Sequence, residues 1–145
     1  MKALKNLAGG LAGAIALNIL HETVKRLYHD APRVDLVGED ALTKIGNKVN
    51  VEPPTGNKLY AATLAGDLLS NTLYYSLIGA GKRKGLFWRG AAMGLAAGVG
   101  ALTLTKPMGL SDAPVTRTDA TKILTVTWYT FGGIVAAVTM KALRK

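Results

Sequence analysis

The chain is 145 residues long, 49% hydrophobic against 19% charged, with 17 glycines, no cysteine and a formal charge of +9. That length allows a single domain, and the lack of cysteine excludes a disulfide framework and any thiolate metal or redox site. A mean hydropathy of +0.22 beside so many basic residues excludes disorder and collagen, and requires the apolar and charged residues to be gathered into separate blocks.

The first uncharged block runs over residues 6–20. A membrane span needs about 20 residues, so this one reaches length as residues 4–24 if Lys5 and the His21-Glu22 pair extend toward headgroups. Lys2 and Lys5 ahead of an apolar run imitate a secretory signal, yet His21-Glu22-Thr23-Val24 offers no small-x-small exit site, so an uncleaved first span is expected. Gly10, Ala14, Asn18 and His21 form a small-then-polar stripe on it.

Residues 25–58 form a long loop. Val37, Ala41, Ile45 and Val49 recur every four residues, with Glu39, Asp40, Lys44 and Lys48 on other faces, which predicts an amphipathic helix over 36–47 capped by Asp35. Pro53-Pro54-Thr55-Gly56 then resets the direction.

The second block, 59–81, is interrupted only by Asp67. Tyr60, Thr63, Asp67, Ser70, Asn71 and Tyr74 share one helical face. Asp67 falls about 12 Å below Leu59, and Asn18 about 9 Å below Val24, at the helical rise. The depths match, so an intramembrane polar cluster of Asn18, His21, Glu22, Thr63, Asp67, Ser70, Asn71 and Tyr74 is expected. An unpartnered Asp near mid-span costs about 2.5–3.5 kcal/mol, which requires it to be protonated, paired or in a wet interior.

A basic turn of Lys82, Arg83, Lys84 and Arg89 leads into a third span over 86–105. Gly90, Gly94 and Gly98 there, Gly9 and Gly13 on the first span, and Gly132 and Gly133 on the last are positions where backbones can approach closely. A short loop precedes the fourth span, 122–142, whose residues 123–140 carry no charge on any face, unlike a helix of a soluble bundle.

Charge sets the orientation. Lys2, Lys5, the basic turn with Arg89, and Lys141, Arg144 and Lys145 are nine basic residues with no acid among them. The two longer loops carry nearly balanced charge. The positive-inside rule therefore puts both termini and the basic turn in the cytoplasm of a cell with an inner membrane, and both longer loops outside. Topology accounts for the basic excess, and nothing resembles a nucleic-acid surface. The halves also echo each other: Asp30-Ala31-Pro32 and Asp40-Ala41-Leu42-Thr43-Lys44-Ile45 follow span one, while Asp112-Ala113-Pro114 and Asp119-Ala120-Thr121-Lys122-Ile123 follow span three. A duplicated helical hairpin with a pseudo-twofold along the membrane normal accommodates this.

No catalytic or metal constellation is present in the sequence. His21-Glu22 lacks a second histidine four residues after the first, His29 adds only a weak surface pair, and Gly79-Ala80-Gly81-Lys82-Arg83 departs from a phosphate loop at both ends. The expectation is an all-α polytopic membrane protein forming one domain over 1–145, with four transmembrane helices, no cofactor and no enzymatic activity. Of two functions the sequence favours the first, with the second as its alternative. One is a structural or accessory subunit that assembles through glycine-rich faces, as a homo-oligomer or with a membrane partner. The other is a small transporter or channel for protons, ions or a small solute, built on the cleft around Asp67.

Overall fold

The computed structural model describes residues 1–144, and among them the secondary structure is entirely helical. In chain order the helices are α1 (Lys2–Leu27), α2 (Val34–Lys48), α3 (Gly56–Ser76), α4 (Leu86–Thr103), α5 (Ala113–Thr116) and α6 (Asp119–Leu143), with single 3-10 turns at Leu77–Gly79 and Arg83–Gly85. Three of them, Lys2–Leu27, Arg83–Thr103 and Asp119–Leu143, are long and apolar enough to cross a membrane. The 21-residue α3 has comparable length, but Asn57, Lys58, Asp67, Ser70 and Asn71 set it apart from these three by composition.

Small residues share the interior with Tyr75, Ile78, Leu86 and Met140, while many large aliphatics lie outside. Ala14, Ala136, Ala137, Thr121 and Thr125 are fully buried, whereas Leu7, Leu11, Ile15 and Ile19 line the outer face of α1 and Leu69 and Leu73 that of α3. Water would favour the reverse arrangement, because each exposed leucine or isoleucine forfeits about 1.5–3 kcal/mol of burial. In lipid the aliphatic faces cost nothing, and small residues let helix backbones approach. The pattern and the three apolar helices both indicate a membrane location.

The close approaches fall at glycine. A methyl group placed on Gly94 would lie 2.6 Å from Thr130 Cα, and one on Gly98 2.6 Å from Val126 Cα, so α4 lies directly on α6. Gly133 faces Gly90 and Gly94 in return. On α1, Gly9 meets Met140, Gly13 meets the Gly132 carbonyl and Ala136, and Gly10 meets the backbone of α3 at Thr72 and Ser76. All seven glycines expected at helix contacts therefore face a neighbouring helix of their own chain.

These contacts arrange the long helices in the order α3, α1, α6, α4, and α3 barely touches α4. A twofold relation between the hairpins would make α4 pack on α3 as α1 packs on α6. One interface is closed and its counterpart is open. The repeated loop segments also differ, since α2 has 15 residues and α5 only four.

One expectation at the helix ends needs correction. Asp35 is not the cap of α2; Arg33 occupies that position without a side-chain cap bond, and the helix starts at Val34. The Asp35 carboxylate is drawn instead to Arg33 and Lys25. In the basic turn, Lys82 and Lys84 are exposed, but Arg89 donates to the carbonyls of Ile78 at 3.0 Å and Lys82 at 2.8 Å. Arg144 donates to the Gly79 carbonyl and to Asn6. Two guanidinium groups thus satisfy carbonyls that the end of α3 leaves open, where a cation is also favoured by the helix dipole.

Candidate functional site

Asp67 lies near the middle of α3, and both its oxygens accept hydrogen bonds. Asn18 Nδ2 on α1 donates to Oδ2 at 3.0 Å, and Asn71 Nδ2, one turn along α3, donates to Oδ1 at 2.9 Å. Asn18 is oriented by a second bond from the same amide to the Ala14 carbonyl at 3.0 Å. The local cause is the tight crossing at Gly10, which brings α1 and α3 close enough for an asparagine to reach across. Among the described residues no Lys, Arg or His lies within ion-pair distance of Asp67.

The remaining polar residues expected here divide into different settings. Ser70 is exposed and donates to the Asp67 backbone carbonyl at 3.1 Å. Tyr74 donates to the Met93 carbonyl at 2.9 Å, strapping α3 to α4 on the basic side of Asp67. Thr63 is buried against Gly38 of α2, and its hydroxyl has no partner. His21 is buried beside Trp128, their ring centres 5.8 Å apart, with Nε2 3.5 Å from Asp35 Oδ1. Glu22 turns to Lys25 at 2.6 Å rather than to Asp67.

Glu22 therefore belongs to a second cluster at the loop end. Lys25 also reaches Asp35 at 3.3 Å and Tyr60 Oη at 3.0 Å, and Arg33 pairs with Asp35 at 2.7 Å. Burial pushes the Asp35 carboxyl up, but the approach of His21, the hydrogen bonds of Arg33 and the charges of Lys25 and Arg33 outweigh it and hold it well below the usual carboxylate range. Lys25, Arg33 and Asp35 were not legible as site residues. Only the spacing of Glu22 and Lys25 hinted at a pair, because Asp35 arrives through the fold of the loop.

A cavity of about 600 Å³ occupies the gap between α3 and α4. Asn18, His21, Asp67 and Asn71 make its polar wall, while Leu64, Ala97, Gly100, Ala101 and Leu104 are among its apolar residues. Val37, Gly38 and Ala41 of α2 roof it together with Met108 and Leu110 of the following loop. That roof is stitched by Lys44 donating to the Gly109 carbonyl at 2.6 Å and the Ser111 amide donating to Asp40 at 3.0 Å. A void of about 10 Å³, near the size of one water, lies between Asn18, His21 and Trp128. Among the described residues no three His, Cys, Asp or Glu side chains are grouped to hold a metal ion.

The arrangement can accept hydrogen bonds and compensate a positive charge inside an otherwise apolar chamber. No protein-family model, no curated protein and no solved structure matches this chain, so its geometry alone carries the functional reading.

Proposed function

We propose that this is a four-span protein of the inner cell membrane, with α3 as the fourth span, that transports a proton, an ion or a small solute through the cleft between α3 and α4. Both termini and the basic turn lie in the cytoplasm in this reading, and α2 lies outside, as the distribution of basic residues favours. The orientation of α3 supports its spanning: Leu69 and Leu73 are exposed, while Thr63 and Asn71 are buried. The observation that carries the function is Asp67, a carboxylate held by two amides, without a cation partner, on the wall of a cavity. Intramembrane acids so placed mark ion and substrate paths.

The alternative of a structural or accessory subunit has less support. Its glycine faces are occupied by the chain's own helices, and self-association or a partner would have to use the leucine-rich outer faces. Proton and cation flux into proteoliposomes, compared between wild type and Asp67→Asn, tests the proposal. Flux that disappears in the variant while native mass in lipid stays unchanged supports transport; equal flux in both, or none in wild type, overturns it.

A further inference from the structure

Resting on the reading of the α3–α4 cleft as a solute site, we infer that its ligand is an amphiphilic amine, a molecule with a protonated nitrogen and an apolar body. The charges of the cavity give the first reason. Of its three acids, Glu22 and Asp35 are neutralised by Lys25 and Arg33, and Asp67 alone has no cation. Both oxygens of Asp67 accept from amides, and an acid so placed without a cation is matched by one ammonium group.

Unpartnered polar atoms supply an independent reason. Thr63 is only 7% exposed, borders the cavity and has a hydroxyl with no partner. Asn18 Oδ1 also lacks one, and Asn18 borders both the cavity and the small void behind it. His21 Nε2, on the same wall, also lacks a hydrogen bond; Thr63 and Asn18 offer oxygens that can accept, and an ammonium brings several donors.

The shape of the cleft selects the rest of the molecule. Tyr74 bonded to the Met93 carbonyl closes it toward the basic end, and α2 with the stitched loop closes it toward the other. Between Ser70 on α3 and Ala96 on α4, both exposed and both bordering the cavity, it is open sideways. In a bilayer that side meets acyl chains. An amphiphile dissolved in lipid enters directly from that side, and its body would rest on Ala97, Gly100, Ala101 and Leu104.

The test uses the full chain in phosphocholine nanodiscs, with octylammonium, 1-octanol and octanoate as probes and empty nanodiscs subtracted. Octylammonium should saturate at one per chain, 1-octanol should bind about tenfold more weakly, and octanoate should not saturate. Asp67→Asn should weaken octylammonium about tenfold and leave 1-octanol unchanged. Gly100→Leu keeps the reading testable if the first variant fails to fold, since a Cβ there meets only Leu104 at 3.6 Å; it should weaken both amine and alcohol. Equal binding of octylammonium and 1-octanol, or amine binding indifferent to either folded variant, overturns the assignment. Ion flux lost in Asp67→Asn without saturable amine binding also overturns it while leaving transport standing. Saturable, Asp67-dependent amine binding without proton or cation flux overturns ion transport and supports the ligand class.

Discussion

Asn18 of α1 and Asp67 of α3 are joined by a 3.0 Å hydrogen bond between residues 49 positions apart, and this bond places the carboxylate on the back wall of the cleft. The same amide donates to the Ala14 carbonyl, so the side chain is held from two directions. Asn18→Ala removes one of the two donors to Asp67 while leaving Asn71 in place. The variant should lose about 1–3 kcal/mol of stability, read as a lower melting temperature in detergent. An Asn18→Ala, Asp67→Asn double variant should lose less than the sum of the single variants, because the two residues share one interaction.

Packing predictions follow from the contrast between two glycines. At Gly94 an added Cβ would lie 2.6 Å from the α6 backbone, whereas at Gly66 it would meet nothing within 4 Å. Gly94→Val should therefore destabilise by about 1–3 kcal/mol through overpacking against a backbone that has no room to yield. Gly66→Ala should be neutral or stabilise by about 0.5–1 kcal/mol through helix propensity. Thermal unfolding of both variants in the same detergent checks the pair.

The ion pairs around Asp35 make the docking of α2 dependent on pH. The folded state holds this carboxyl below its ordinary value of 3.8, so its stabilisation is fully present above that value and is lost as pH falls below it toward the folded pKa. Because the chain has no cysteine, spin labels at Asn47→Cys and Asn57→Cys are specific, and both native positions are exposed. The distance between them should remain narrow at neutral pH and broaden in strong acid. Asp35→Asn should broaden it already at neutral pH, since it leaves Lys25 and Arg33 without the carboxylate they share.

Topology has a direct readout. With α3 as a span, Asn50→Cys before it and Lys84→Cys after it lie on opposite sides of the membrane. A thiol reagent that does not cross membranes should label the first in intact cells and the second only after lysis. Labelling of both from one side would show that α3 does not cross.

The helices and the order of the charged segments were legible from residue pattern alone. The uncharged run at 123–140 lies within α6, and the four-residue recurrence of Val37, Ala41 and Ile45 belongs to α2, which Val49 caps and which begins two residues earlier than expected and ends one residue later. Both are local properties, set by side chains one or two turns apart, and so is the polar face of α3. Even the level at which Asn18 meets Asp67 is a matter of counting residues along two helices.

Which helices pair was not legible, because small residues permit approach from any neighbour and carry no label for a partner. Gly13 might equally have met a second chain; tertiary packing brought it to Gly132, and it also moved Asp35 from the helix cap into the Lys25 and Arg33 pairs. The open side between α3 and α4 has the same origin. Its existence depends on α6 lying between α1 and α4, a relation among helices from opposite halves of the chain that no local pattern encodes.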